Sequence, residues 1–208
     1  MSFSKFISKQ SSKPSGLFGR LIMSHFFKFG NIELNDLVFD ALSITDSDHL
    51  LEIGFGPGAL INKIAKRLKT GMIEGIDISN SMVESARKKN MRFLKEGKVK
   101  TQLADIDTVQ FDENSFDKIF SVNTVYFWKE PNTTISKICH LLKPGGRLFI
   151  GFHDKNEMET MSLDTDVFSL YSPKEISELL SVHCLLKDIQ TVSKKGKQRM
   201  LHCVSGIK

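Results

Sequence analysis

A glycine-rich loop is the part of this sequence best suited to chemistry. The apolar run Leu50–Ile53 leads into Gly54, Gly56 and Gly58, and a helical pattern begins near Ala59. Glycines allow a sharp turn and let a ligand contact main-chain atoms directly. The helix N-terminus beyond them offers free N–H groups and a positive dipole end to a carboxylate or phosphate. The segment therefore predicts a strand, loop and helix that bind a charged cofactor.

Two acidic residues near this loop narrow the choice of cofactor. Glu52 precedes the first glycine by two residues, and Asp77 follows the next predicted strand. Dinucleotide-binding loops have the spacing G-x-G-x-x-G, whereas this one is G-x-G-x-G. A carboxylate at Glu52 suits an ammonium group better than a pyrophosphate. Asp77 at a strand tip is placed to accept both ribose hydroxyls, with capping of the helix after Ser79 as the alternative.

Short apolar strands alternate with helical patterns from His49 onward, which is typical of a parallel sheet with helices on both faces. Strands are predicted at Leu50–Ile53, Met72–Ile76, Lys98–Leu103, Lys118–Val122 and Arg147–Phe152, and helices at Ala59–Leu68, Ser81–Leu94, Thr133–Leu142 and Pro173–Val182. Leu185–Val192 and Gln198–Ile207 follow without an intervening helix, so Ser193–Lys197 predicts a C-terminal antiparallel hairpin. We expect an α/β, Rossmann-like fold with a seven-stranded, mostly parallel sheet.

Two further helical patterns precede the sheet, over Leu17–Phe29 and Ile32–Ser43. They predict a helical N-terminal cap, residues 1–44, in front of a main domain of residues 45–208. Residues 1–32 contain five basic side chains and no Asp or Glu. Peripheral contact of this segment with a membrane surface is therefore an alternative to a cap over the site.

Composition excludes some classes of protein. The net charge of +5 favours anionic surroundings only weakly, because the lysines are scattered. No run of 18 apolar residues occurs, which argues against a transmembrane helix. Cys139, Cys184 and Cys203 match neither a disulfide framework nor metal-ligand spacing, so no metal site is predicted. We expect buried, unpaired thiols in a reducing, cytoplasmic setting.

Five motifs follow one another between Asp48 and Phe152. They are Glu52-Ile-Gly-Phe-Gly-Pro-Gly58, Gly75-Ile-Asp77-Ile-Ser, Ala104-Asp105-Ile106, Ser115-Phe-Asp117 and Leu142-Lys-Pro-Gly-Gly146. In this order and at these intervals they resemble the class I S-adenosylmethionine-dependent methyltransferases, most closely the methyltransferase type 11 group. The resemblance implies S-adenosylmethionine as the cofactor and transfer of its methyl group to an acceptor.

The resemblance also implies which residues bind this cofactor. They are Glu52, Gly54, Phe55, Gly56, Gly58, Asp77, Ile78, Ala104, Asp105, Ile106 and Asn123. The glycines approach the methionine part of the cofactor, and Glu52 orders the loop and the amino group. Asp77 holds the ribose. Ile78 and Ile106 pack on the two adenine faces, and Asp105 accepts from the adenine amino group unless it is an ordinary turn acid.

The acceptor side is expected after the fourth and fifth strands, where folds of this kind open to ligands. His153 is the first candidate for catalysis as a general base, because histidine changes charge near neutral pH. A hydrogen-bonded loop histidine is the alternative. Tyr126 is the second candidate, placed in the pocket wall, with core packing as its alternative. The backbone carbonyl of Asn123 is expected near the methionine part of the cofactor.

These observations favour transfer of a methyl group to a small-molecule acceptor. A membrane-surface methyltransferase acting on a lipid or quinone head group remains an alternative, as does a non-catalytic cofactor-binding protein. An NAD-dependent oxidoreductase is disfavoured by the glycine spacing. Enzymes that methylate nucleic-base amino groups have two prolines where this chain has Thr124 and Val125, which argues against a nucleic-acid acceptor. Neither the acceptor nor the oligomeric state is predicted.

Overall fold

Seven strands form one sheet in the computed structural model, which describes residues 32–159 and 169–208. The strands are β1 (His49–Ile53), β2 (Met72–Asp77), β3 (Val99–Leu103), β4 (Phe116–Val122), β5 (Leu142–His153), β6 (Lys187–Lys195) and β7 (Met200–Ile207). Their order across the sheet is β3-β2-β1-β4-β5-β7-β6. Strands β1 to β5 are parallel, and β7 runs antiparallel to both β5 and β6.

Helices cover both faces of this sheet. They are α1 (32–41), α2 (Ala59–Arg67), α3 (Asn80–Lys89), α4 (Met91–Lys95), α5 (Pro131–Leu141), α6 (Lys155–Glu159), α7 (Pro173–His183) and a short 3₁₀ helix (Val125–Phe127). Helices α1 to α4 pack with Leu50 and Phe120 on what we call the first face. Helices α5 and α7 pack with Leu51 and Ile119 on the second face. Successive strand residues thus point to opposite faces, and the predicted Rossmann-like fold with its C-terminal hairpin is confirmed.

The carboxyl ends of the parallel strands meet at one edge, which we call the carboxyl edge. It contains the residues that follow Ile53, Asp77, Val122 and His153. The strand order reverses between β1 and β4, and ligands of open α/β sheets bind at such a point. Because β7 runs in the opposite direction, its first residues, from Met200, lie at the same edge.

The predicted helix Ser81–Leu94 is divided into α3 and α4 at Asn90. The Asn90 side chain is fully buried, and its amide donates to the carbonyl oxygens of Gly58 (3.0 Å) and Ala86 (2.9 Å). An asparagine that bonds to nearby backbone offers the chain an alternative to continued helix. The break therefore attaches the end of α3 to the glycine loop.

Strands β5 and β6 extend furthest beyond their predicted bounds, β5 through contacts with the remote C-terminus and β6 through its hairpin with β7. Strand β5 begins at Leu142 instead of Arg147, and Gly146 accepts a hydrogen bond from the N–H of Lys208 (2.9 Å). Strand β6 continues to Lys195, so the hairpin turn begins at Gly196. The 3₁₀ helix and α6 are additional elements that the sequence pattern does not predict.

The cysteines differ from expectation. Cys139 in α5 and Cys184 directly after α7 form a disulfide, and Cys203 is a buried free thiol. The two helices lie side by side on the second face, where Ser136 donates to the carbonyl oxygen of His183 (3.0 Å). This packing joins cysteines that are 45 residues apart. The prediction of unpaired cysteines is therefore wrong for two of the three.

Helix α1 is the described part of the predicted cap. Leu34, Leu37 and Val38 are buried against the first face, so this helix shares its core with the sheet. The predicted helix Leu17–Phe29 and the basic N-terminal segment lie outside the described residues, and the boundary at residue 44 stays a prediction. Within 32–159 and 169–208, no helix is long and apolar enough to cross a bilayer.

Candidate active site

The three glycines of the loop have different surroundings. A side chain at Gly54 would collide with Thr124, and the Cβ of one at Gly58 would lie 2.7 Å from the Ala86 Cβ. At Gly56, no described atom lies within 4 Å of the corresponding Cβ position. Close packing thus accounts for Gly54 and Gly58. Gly56 faces open space, where a ligand has access to the backbone.

The Phe55 side chain points away from this opening. It is buried on the first face, and its ring occupies the space above Gly75 next to Ile61. Only the main chain of Phe55 is left to face a ligand in the loop. The ring instead packs the loop down onto β2.

Asp77 connects the glycine loop to the start of α3. Its Oδ2 accepts from the N–H of Gly56 (2.8 Å), and its Oδ1 accepts from the N–H of Ser79 (2.9 Å). Burial raises the pKa of Asp77, and these two hydrogen bonds oppose that rise. Each carboxylate oxygen has two lone pairs, so both can accept a further hydrogen bond. Asp77 can therefore anchor the loop, contact the residue before α3 and bind a ligand at the same time.

Glu52 is a buried acid at the end of β1, with 3% of its surface exposed. Its Oε2 has no hydrogen-bond partner among residues 32–159 and 169–208. Burial, followed by the negative charge of Asp77, raises the pKa of Glu52 well above 4.5. A buried acceptor without a donor is costly, and a cationic donor would relieve both causes. The site thus fits a cofactor that carries an ammonium group.

Of the residues predicted beside adenine, Ile78 and Ile106 are placed differently. Ile78 is 41% exposed, as a residue that packs on a ligand must be before binding. Ile106 is only 5% exposed and belongs to the core of the second face. Leu103 at the end of β3 is exposed instead. Sequence reasoning missed Leu103, although it ends the third strand as Asp77 ends the second.

Asp105 forms a turn next to this region. Its Oδ1 accepts from the N–H of Asp107 (3.0 Å), and its side chain is exposed. Ala104 before it is half-buried, and its N–H donates to the carbonyl oxygen of Asp77 (3.1 Å). Asp105 thus makes the contacts of an ordinary turn acid, which is the alternative interpretation. Its exposed carboxylate is still accessible to a ligand.

Tyr126 joins the ends of β4 and β5. Its hydroxyl accepts from the N–H of His153 (2.6 Å) and donates to Oδ1 of Asn123 (3.3 Å). Asn123 has a left-handed backbone (φ 57°), and its N–H donates to the carbonyl oxygen of Gly151 (2.9 Å). Burial raises the pKa of Tyr126 above its ordinary value of 10.0. These contacts correspond to the core-packing alternative and give Tyr126 a positioning role.

His153 ends β5 at the carboxyl edge. Only 6% of its surface is exposed, and in the described part of the chain its Nδ1 has no hydrogen-bond partner. Burial, together with the charges of Arg199 and His202, lowers its pKa to about 4. The imidazole is therefore neutral at physiological pH, and one of its nitrogens is an acceptor.

The turn after His153 is held by Asp154. Its Oδ1 accepts from the N–H of Asn156 (2.9 Å), and its Oδ2 lies 3.2 Å from Nε2 of His202. His202 Nδ1 in turn lies 2.8 Å from Oγ of Ser193. Sequence reasoning missed this series of contacts because its members come from the turn after β5, from β6 and from β7. No group of three potential metal ligands occurs among the described residues.

Comparison with known proteins agrees with this geometry. A family model described as a methyltransferase domain matches residues 51–150. The chain is 32% identical over 130 residues to the methyltransferase YdaC of Bacillus subtilis, covering 62% of this chain and 70% of the relative. The chain belongs to the class I S-adenosylmethionine-dependent methyltransferases.

Solved structures share the fold of this methyltransferase. Phosphoethanolamine N-methyltransferase 2 of Haemonchus contortus, with phosphomonomethylethanolamine and S-adenosylhomocysteine, has a TM-score of 0.76 at 17% identity and covers all of this chain and 61% of that one. A methyltransferase of Aquifex aeolicus has a TM-score of 0.68 at 20% identity, with 86% and 92% covered. At these identities the likeness establishes the fold alone.

Proposed function

We propose that this methyltransferase acts on a small-molecule acceptor that enters at the carboxyl edge beside His153. One observation carries the proposal: the two buried side-chain atoms without a partner in the described residues, Glu52 Oε2 and His153 Nδ1, both lie at this edge. When bound, S-adenosylmethionine supplies a methyl group on a positively charged sulfur, which retains the electron pair as the methyl group leaves. The chain must bind, orient and protect the reactants.

On the cofactor side, each role follows from a local contact. Glu52 binds the ammonium group, because a cation restores a partner to its buried oxygen. The main chain at Gly56 lies along the methionine part, since that glycine faces open space. Asp77 accepts the ribose hydroxyls with the lone pairs that its two backbone donors leave over. The backbone carbonyl of Asn123 contacts the methionine part.

The surface next to Asp77, formed by the residues after β2 and β3, would hold the adenine. The exposed side chains of Ile78 and Leu103 supply apolar contact, and Asp105 accepts from the adenine amino group. Ala104 contributes a small side chain to the floor between them. Ile106 supports this turn from the core beneath it.

On the acceptor side, His153 contacts the acceptor through Nδ1. As a neutral imidazole it takes a proton where the acceptor atom carries one. Tyr126 fixes the position of His153 by accepting its backbone N–H. The Haemonchus relative, whose structure contains phosphomonomethylethanolamine, supports a small molecule as the acceptor class.

Calorimetry with S-adenosylmethionine, S-adenosylhomocysteine and NAD tests the cofactor half of this proposal. We expect saturable binding of the first two and none of NAD. Release of S-adenosylhomocysteine from pools of small molecules tests the acceptor half. Turnover only with lipid vesicles would instead favour the membrane-surface alternative, and binding without turnover a non-catalytic protein. The prediction of a cytoplasmic location is based on free cysteines, and two of the three are paired. That location therefore stays a prediction.

A further inference from the structure

Arg199 is a cation that lacks an anionic partner. It is half-buried, and within the described ranges it forms no ion pair; the hydrogen-bond contact of its guanidinium is Nη1 to the Met158 sulfur (3.6 Å). A thioether is a weak acceptor, whereas a guanidinium carries five N–H donors. Arg67, Arg92 and Arg147 each have a carboxylate partner, such as Asp188 for Arg147 (2.6 Å), and Arg87 donates to Thr101. Most N–H donors of the Arg199 guanidinium therefore have no acceptor among the described residues.

The position of Arg199 brings it to the acceptor side of the site. His153 of β5 pairs with Leu201 of β7, and Arg199 precedes Leu201 by two residues. Arg199 lies in the bend directly before β7, and the contact of its Nη1 with the Met158 sulfur places its side chain against α6, the helix that follows His153 and Asp154. The residue after Arg199 is tied to the residue after His153, because the N–H of Asp154 donates to the carbonyl oxygen of Met200 (3.1 Å). In agreement, the charge of Arg199 adds to the effect of burial in lowering the pKa of His153, and it opposes the rise that burial causes in the pKa of Tyr126.

The acids near this position are already engaged. Asp154 binds His202 and the N–H groups at the start of α6. Glu157 Oε2 accepts from the N–H of Met200 (2.6 Å), and Glu33 Oε2 accepts from the N–H of Lys197 (3.0 Å). Their hydrogen bonds fix these carboxylates to the backbone, and none of them lies within 4.0 Å of Arg199. The Arg199 guanidinium thus remains a cationic donor for a ligand.

We propose that Arg199 and His153 form a subsite for a carboxylate or phosphate group of the methyl acceptor. The inference rests on the function proposed above and narrows its acceptor to small oxyanionic molecules. Arginine matches both anions because its planar fork donates two parallel hydrogen bonds. Neutral His153 completes the subsite with a hydrogen bond from its protonated ring nitrogen, Nε2, while Nδ1 remains the acceptor. An amine acceptor would instead bring a second cation next to Arg199.

Four probes that share a phenyl ring test the proposal by calorimetry on protein saturated with S-adenosylhomocysteine. They are benzoate, phenyl phosphate, benzyl alcohol and benzylamine. We expect saturable binding of benzoate or phenyl phosphate, with the stronger of the two identifying the anion, and no binding of benzylamine. Arg199→Met should weaken the anion about 10- to 100-fold, the loss expected for a charged hydrogen bond. Arg199→Lys should restore part of it, and Lys195→Met, at an exposed cation of the same hairpin, should change nothing.

Three results would overturn the proposal: no binding of either anion to the wild-type protein, equal binding by Arg199→Met, or preference for benzylamine. Each variant is first titrated with S-adenosylhomocysteine alone. Failure of that titration in the wild-type protein would count against the proposed function itself. Normal binding there, followed by failure with the anions, would count against the subsite alone.

Discussion

Replacement of Asp77 tests the cofactor site at the residue where the structure adds most to the sequence. In Asp77→Ala, two effects combine. The variant removes the acceptor proposed for the ribose hydroxyls, and it frees the N–H of Gly56, now held at 2.8 Å. Net hydrogen bonds to a charged group are worth about 1.5–3 kcal/mol each. Loss of buried negative charge beside Glu52 offsets part of this.

The expected loss of S-adenosylmethionine affinity is therefore about 1–3 kcal/mol, or about 5- to 150-fold in Kd. Asp77→Asn retains the shape and one acceptor oxygen, so its loss should be smaller. Calorimetry measures Kd, and thermal unfolding of each variant measures the cost to the fold. Asp112→Ala, at an exposed loop acid, is the matched control.

The relation between the two variants decides the interpretation. If Asp77 only anchors the loop, Tm falls and the Kd of the remaining folded protein changes little. If it also binds ribose, Kd rises in both variants at temperatures well below their Tm. An unchanged Kd in Asp77→Ala would refute the ribose assignment.

Three further predictions concern the loop, its support and the second face. Burial raises the pKa of Glu52 and an ammonium ligand lowers it, so the affinity for S-adenosylmethionine should increase with pH above 4.5 and level off above the raised pKa, and calorimetry should detect proton release. Glu52→Gln should bind weakly and without this pH dependence. A pH-independent affinity of the wild-type protein would exclude the mechanism. Asn90→Ala removes two hydrogen bonds donated by a buried amide, to carbonyl oxygens that each keep a backbone donor, and should cost about 1–3 kcal/mol of stability by denaturant unfolding. The control Asn62→Ala, which loses one hydrogen bond to Asn90 and a long, exposed one to the Lys89 carbonyl (3.5 Å), should cost less. Cys139→Ser should lower the free energy of unfolding by up to about 4 kcal/mol, the chain-entropy value for a separation of 45 residues. Reductant should lower the Tm of the wild-type protein to that of this variant, and an unchanged Tm would argue against the Cys139–Cys184 disulfide.

Local signals predicted most of the elements. The period of apolar residues in Met72–Ile76 and Ala59–Leu68 depends on neighbours within a few positions, so their types and approximate bounds agree with β2 and α2. Where a partner lies far along the chain, prediction fails. The break at Asn90 depends on Gly58, and the early start of β5 depends on Lys208.

The glycine loop and its acids are a local pattern, and the sequence by itself therefore determined the cofactor class through this loop and the four motifs that follow it. Which atoms are buried without a partner is a property of packing, and only the tertiary structure decided it. The same holds for Ile106 in the core, for the Cys139–Cys184 pair and for the contact of Arg199 with Met158. These contacts join residues from different strands and helices, because burial and pairing arise only when the sheet brings remote segments together.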